Sequence, residues 1–518
     1  MNYWKNPLLF IATLLYFHTC FSAPSDSVLP FHEKVVKGKL PNGMRYYILK
    51  NSKPENRAEL RLVVQTGSNN EKDEQQGLAH FSEHMAFNGT KKYKKSEIVD
   101  YLESIGTKFG PDLNAYTSFD ETVYMLQIPT DKKEFIEKGL DILCQWAAFV
   151  SFDSVEVEKE RGVVLEEWRL GKGAMERMMR KVYPMLFRYS RYSERLPIGK
   201  PEILENFPRR QILDYYHSWY RPELQSIIVV GDVDVKSVEL LIKKTFSVIP
   251  ASAKPIKPSV WPIQPQSTFS CMAVSDKESP YNLFQWITLY PGEKIITQQD
   301  FRKKLTEECI YTMLNKRLAE YSRKPDPPFN YAGCGIGSFI SEVKTLSGFA
   351  LFPNGKWKNC LEVLTTEFER ARRHGFTPQE FDLAVKEILK DAENDFSERD
   401  KTESKEWTSK LVQYALRDVP FLSAETEYRL IKKLLPQITL EEINRLCKDL
   451  FPSDGKNTTV AFMMAEKENN PVPTQEEISQ IIRKISADNS IQPYVPKLVD
   501  KPFLKNKPIR QKVIRTDT

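Results

Sequence analysis

Gly77-Leu78-Ala79-His80-Phe81-Ser82-Glu83-His84-Met85-Ala86-Phe87 is the stretch on which the reading of the whole chain turns. After the glycine every residue is compatible with a helix, so a helix over 76–87 is expected, with His80 and His84 one turn apart on one face. Two neutral imidazoles at that spacing can grip one Zn²⁺. That ion accepts imidazole nitrogen and carboxylate oxygen in a tetrahedral set and, in a catalytic site, keeps its fourth place for water. Glu83 falls three residues after His80, on the neighbouring edge of the same face, where it can reach such a water without displacing it. It is the expected general base. An isolated His-x-x-x-His pair usually means two ordinary histidines, but here two of only six histidines in the chain bracket an acid in the order H-x-x-E-H.

On both sides of this helix the chain reads as α+β. Leu40-Pro41-Asn42-Gly43 is a turn that leads into a strand over 44–49, and a second strand is expected over 58–64. A helix over 96–105, β-formers over 115–128, helices over 132–149 and 154–169, and a strand over 225–230 follow. Between 249 and 267 the run Pro250-Ala251-Ser252-Ala253-Lys254-Pro255-Ile256-Lys257-Pro258, with Pro262 and Pro265, suits a semi-rigid linker. Beyond it the style repeats, with strands over 284–290 and 458–464 and helices over 298–322, 357–373 and 378–400. The expected architecture is therefore two homologous α+β domains in tandem, each a sheet packed with helices. The expected boundaries are 30–250 for the metal-binding domain, 251–267 for the linker, 268–490 for a domain that binds no metal, and 491–518 for an extended basic tail.

A chain of 518 residues, 41% of them hydrophobic, exceeds what one core supports, so more than one domain is required. Its net charge of +6 is too diffuse to mark a nucleic-acid footprint. Lys5, the apolar run 8–17 and Cys20-Phe21-Ser22 before Ala23-Pro24 read as a secretory signal over 1–22, which predicts an exported protein, periplasmic or secreted. The competing readings are an uncleaved anchor or a lipid on Cys20. No later stretch approaches the roughly 18 apolar residues of a membrane span, so no transmembrane segment is expected after the signal. Cys144, Cys271, Cys309, Cys334, Cys360 and Cys447 are widely spaced and lack CxxC pairs. They read as buried thiols, and neither a disulfide scaffold nor a cysteine-type zinc site is expected.

The H-x-x-E-H order is that of the inverzincins, and around it the chain resembles the pitrilysin/insulinase family of zinc peptidases, in particular the N-terminal half of its long bacterial members. The resemblance runs from about Val36 through Asp500. It is carried by Gly77–Thr90, Asn114–Ser118, Glu160–Glu167, Ile198-Gly199, Trp219–Pro222 and Val230–Asp232. It implies that Glu167 is the third metal ligand and that Glu160, seven residues or nearly two turns earlier, orients a histidine or another donor. Glu166 is the rival ligand, one residue away, and Glu158 reads as solvated. An insertion near Lys108–Asp112 accounts for the long separation between His84 and Glu167. The resemblance also implies that Asn114 and Ala115 lie on an edge strand to which a peptide adds as a further strand, although Asn114 could equally only close a loop. Arg323 and Tyr331 are candidates for steadying the oxyanion, but the Lys-Pro-Asp-Pro-Pro run between them departs from the family pattern.

The implied activity is that of a zinc metalloendopeptidase cutting peptides or unfolded polypeptides with metal-activated water and Glu83 as base. In the family the α+β unit occurs four times around a chamber, and this chain carries two units. Tyr494–Lys507 resembles the link that precedes the second half in long members. That predicts a half-enzyme completed by a second copy or by a partner chain. The competing classes are a catalytically silent scaffold or peptide-binding subunit and a zinc hydrolase with non-peptide substrates. The complete motif favours the enzyme, and the edge strand favours peptides.

Overall fold

The computed structural model describes residues 27–496 apart from 172, 189, 341 and 342. The expected signal over 1–22 and the tail beyond 496 lie outside the described residues. The first sheet contains β1 (Val36–Lys39), β2 (Arg45–Lys50), β3 (Arg57–Val64), β4 (Leu113–Thr117), β5 (Thr122–Pro129) and β6 (Gln225–Gly231), in the order β1-β2-β6-β3-β5-β4. The second contains β7 (Ser270–Asp276), β8 (Asn282–Pro291), β9 (Tyr331–Ile340), β10 (Val343–Phe352) and β11 (Thr458–Ala465), in the order β7-β11-β8-β10-β9.

Without β1 the two orders are the same. In each sheet the opening strand runs parallel to the closing one, β2 to β6 and β7 to β11. All other pairs are antiparallel. Two tandem α+β domains of one topology are thus present. The closing strands lie inside their sheets and are buried along their whole length, which is why Gln-Ser-Ile-Ile-Val-Val-Gly and Thr-Thr-Val-Ala-Phe-Met-Met-Ala lack the alternation of a half-wet strand.

Each sheet buries one face against its own helices. In the first domain Leu60, Leu126, Phe81, Leu140 and Trp146 belong to that core. The other faces are covered by exchange. The helix Ser404–Arg417 of the second half lays Trp407, Leu411, Val412 and Ala415 on Tyr47, Leu49, Val63, Ile228 and Val230 of the first sheet. Reciprocally, the helix Ala174–Leu186 of the first half brings Met178, Val182 and Leu186 to Ile287, Leu289, Ala461 and Met463 of the second.

Residues 251–266 form neither helix nor strand, yet this proline-rich stretch is fastened down. Asn70 donates to the Ser259 hydroxyl at 2.9 Å, Arg188 donates to the Gln264 carbonyl at 2.8 Å, and the Glu223 carboxylate accepts from the Ser252 hydroxyl at 2.6 Å. The Arg191 guanidinium lies over the Trp261 ring, 4.4 Å from its centroid. The six expected thiols are free and buried. No helix among the described residues is long and apolar enough to cross a membrane.

Candidate metal centre

The helix Leu78–Phe87 starts at Gly77, which has φ +104°. The Gly77 backbone rests against Gly199, φ +76°, so closely that a Cβ on Gly199 would stand 2.3 Å from the Gly77 Cα. Only glycine fits there. The first free N–H groups of the helix are answered by Glu71, wholly buried, whose Oε1 accepts from Gly77 and Ala79 at 3.0 and 2.7 Å. The start of the helix that carries both histidines is therefore held by a close backbone contact and by a buried carboxylate.

His80 and His84 project from one face with their Nε2 atoms 3.2 Å apart. The helix Ser154–Leu170 brings in Glu167, with Oε1 3.7 Å from His80 Nε2 and Oε2 3.2 Å from His84 Nε2. Zinc bonds of 2.0–2.2 Å in a tetrahedron separate neighbouring ligand atoms by about 3.3–3.6 Å; the two imidazole nitrogens stand close to that spacing and each faces one oxygen of Glu167, so the three side chains could hold one such ion. Among the described residues this is the one group of three or more His, Cys, Asp or Glu side chains with metal-holding geometry. The same helix carries Glu160, whose Oε1 lies 2.8 Å from His84 Nδ1 and whose Oε2 accepts from Asn88 at 2.6 Å. His84 is thereby oriented with Nε2 toward Glu167. His80 Nδ1 is buried without a partner.

Glu166 is 57% exposed and faces Arg169, and Glu158 is 66% exposed and faces Arg161, so neither rival competes for the cluster. Glu83 is buried beside it, and its Oε2 accepts from the Thr117 hydroxyl at 2.6 Å. Burial pushes the Glu83 carboxyl up to about 7, against the opposing effect of that hydrogen bond. Burial and the neighbouring His84 bring His80 down to about 4. Burial also disfavours the charged form of His84, but its hydrogen bonds to Glu160 and Glu167 outweigh this and carry it up to about 9. A metal would take the place of that proton.

β4 is one of the two outer strands of the first sheet, opposite β1. Asn114, Ala115 and Thr117 line the same cavity as His80, Glu83, His84 and Glu167. Arg323 and Tyr331 are not brought there. Arg323 caps the helix Gln298–Ser322, and Tyr331, 58% exposed, opens β9 beside Phe349. Neither lines the cavity, which is built by residues 80–198 of the first domain, whereas both stand on elements of the second. Sequence reasoning missed Thr117, Asn88 and Glu71. The first two had a signal: Thr117 shares the strand face of Ala115 by alternation, and Asn88 is one turn after His84.

Two sequence profiles match the chain: insulinase (peptidase family M16) over residues 46–193, and the peptidase M16 inactive domain over 206–388. This chain belongs to the insulinase, or M16, peptidase family. The probable zinc protease PqqL of Escherichia coli K12 is 32% identical over 437 residues, covering 84% of this chain and 46% of that protein. The zinc protease PQQL-like of Arabidopsis thaliana is 31% identical over 474 residues, covering 91% and 46%. The crystal structure of the first half of the periplasmic protease PqqL from Escherichia coli superimposes with a TM-score of 0.83 at 29% identity, covering 90% of this chain and all of that one. The whole PqqL gives 0.84 at 28% identity, with 95% of this chain matched to 53% of that one. The chain thus spans about half the length of the curated M16 relatives it matches.

Proposed function

We propose that this M16 chain is the catalytic half of a zinc-dependent endopeptidase, with His80, His84 and Glu167 holding the ion and Glu83 moving the proton. The observation that carries the reading is the convergence of three metal-ligating side chains from two helices, with the buried Glu83 carboxyl alongside, held by Thr117. Zinc bound there would polarise a substrate carbonyl and make a neighbouring water acidic. Glu83 takes the proton of the attacking water and delivers it to the leaving amine. Thr117 fixes the Glu83 carboxylate, Glu160 fixes His84, and the open edge of β4 receives the peptide backbone as a further strand through Asn114 and Ala115.

The relatives named zinc proteases support a peptidase. The half-length match to those relatives supports a working enzyme that includes a second half. The leader-like start and the periplasmic description of PqqL support export. The test is metal analysis of the purified protein beside hydrolysis of an internally quenched peptide with and without chelator. Glu83→Gln is expected to retain zinc and to lose about 10²–10⁴-fold in rate, the span of general base catalysis. His80→Ala is expected to lose both. Undiminished hydrolysis by Glu83→Gln would remove the role assigned to the base. Zinc without hydrolysis in the wild-type protein, tested with and without a second half, would turn the reading to a silent peptide-binding scaffold.

A further inference from the structure

Thr117, whose hydroxyl holds the Glu83 carboxylate, is the last residue of β4. That strand is five residues long and pairs with β5 alone, from Leu113 against Leu126 to Thr117 against Thr122. Its other edge is open. At 2.6 Å the bond to Glu83 tolerates little, because ~1 Å of movement at the strand end takes the two oxygens past hydrogen-bonding distance. A misplacement of that size can cost about 10²-fold in rate. What holds the turn after Thr117 therefore bears on the base.

The turn Ser118-Phe119-Asp120-Glu121 is gripped from outside its hairpin. Ser68 N donates to the Ser118 carbonyl at 3.1 Å and Asn69 N to the Phe119 carbonyl at 2.9 Å. A Cβ on Gly67 would stand 2.2 Å from the Ser118 oxygen, so the two backbones lie in contact. Both oxygens of Asp120 are engaged: Oδ1 accepts from the Asn69 side-chain amide at 3.0 Å and Oδ2 from the Tyr192 hydroxyl at 2.8 Å. Tyr192 is fully buried, and its ring and that of Phe187 flank Phe119 with centroids 5.4 and 5.5 Å away. Tyr192 and Phe187 belong to the cluster that seats the helix Ala174–Leu186 on the second sheet. From the other exchanged helix, Arg417 reaches the Glu121 carboxylate at 3.3 Å.

We infer that Asp120 is a positioning residue for the general base: by fixing the turn it keeps Thr117 where Thr117 can hold Glu83. This rests on the peptidase reading and gives the second domain a part in it, since the Tyr192 that braces Asp120 is packed into the cluster shared with that domain. Hydrolysis of an internally quenched peptide, with zinc content measured for each variant, tests it. Asp120→Ala should keep zinc and lower kcat about tenfold or more. Asp120→Asn should restore most of the rate, because its amide can accept from Asn69 and donate to the Tyr192 oxygen. Tyr192→Phe, which keeps the ring and removes the hydroxyl, should show part of the loss. The deciding measurement is made on top of Thr117→Val: with the threonine hydroxyl already gone, Asp120→Ala should lower kcat by less than about a further twofold.

An equal loss in the wild-type and Thr117→Val backgrounds, or an unchanged kcat in Asp120→Ala, overturns the inference. A wild-type protein that cuts no peptide removes the peptidase reading instead, and amide hydrogen exchange then decides the anchorage by itself. Residues 113–117 should exchange about tenfold faster in Asp120→Ala than in Asp120→Asn, and equal rates overturn it.

Discussion

Thr117 donates the hydrogen bond that fixes Glu83, and its donor is directed by its neighbour. The Thr122 hydroxyl spends its hydrogen on the Thr66 carbonyl at 3.0 Å, which leaves the hydroxyl of Thr117, 3.4 Å away, free to give its own to the carboxylate. Losing a hydrogen bond to a charged, buried group costs about 1–3 kcal/mol, or about 10–100-fold in rate. Thr117→Val should therefore lower kcat by that factor with KM little moved, and Thr117→Ser should recover it; steady-state kinetics with unchanged kcat in the valine variant would show that Glu83 is held by something else. Glu160→Gln should weaken zinc binding about 10–100-fold by releasing His84, as read by chelator competition. His80, Glu83 and His84 were legible in the sequence because helical spacing puts them on neighbouring faces of one helix, whereas Glu167 came only from the resemblance, since no spacing within its own helix marks it as a neighbour of the histidines. Thr117 was quoted within its strand, but its role depends on a contact across 34 residues that no local period encodes. Arg323 and Tyr331 lie in the second domain, at the end of the helix Gln298–Ser322 and the start of β9, outside the cavity.

Among elements, the start of the histidine helix has the clearest dependence on a single side chain. Glu71→Ala would leave the N–H groups of Gly77 and Ala79 buried without an acceptor, at about 1–3 kcal/mol for each unsatisfied group. Chemical denaturation should show a loss of about 2–6 kcal/mol, with Glu71→Gln much milder because it keeps the accepting oxygen. Zinc affinity should fall along with stability in the alanine variant. Period and turn residues did not separate β4 from β5 or mark β1, β7, β9 and β10, but β2, β3, β6, β8 and β11 could be read from them, and so could the duplication in outline. The exchange of the helices Ala174–Leu186 and Ser404–Arg417 could not. An amphipathic stripe states that a helix must be covered, while its destination is set by which sheet has an open apolar face, and that emerges only once both sheets exist. Trp407 measures the effect: it is 7% exposed, edge-on to His32 and Phe421. Trp407→Ala should cost about 3–5 kcal/mol, and it should do so through a helix of one half resting on the sheet of the other.

For the molecule as a whole, the exchange buries a face of each sheet under a helix of the other half. Residues 27–250 expressed alone would carry Tyr47, Leu49, Val63, Ile228 and Val230 uncovered, a patch of the kind that drives association. That fragment should bind a hydrophobic dye and aggregate at concentrations where the full chain stays dispersed; a well-behaved, cooperatively folding fragment would show that the covering helix is dispensable. The proposed second half gives another measurement at this scale. Sedimentation of active material should show a species larger than the 60.2 kDa chain, and full activity in a lone chain would argue against a missing half.

The fastening of residues 251–266 bears on how a polypeptide could enter. Asn70, Arg188, Arg191 and Glu223 clamp that segment along its length, and two crossed helices bolt the sheets together from behind. Hinging of the two sheets about this segment would break those contacts. Under the proposed peptidase reading, a peptide should therefore reach the metal cluster without the two sheets parting, and locking residues 251–266 with an engineered crosslink should leave the rate of entry as it was.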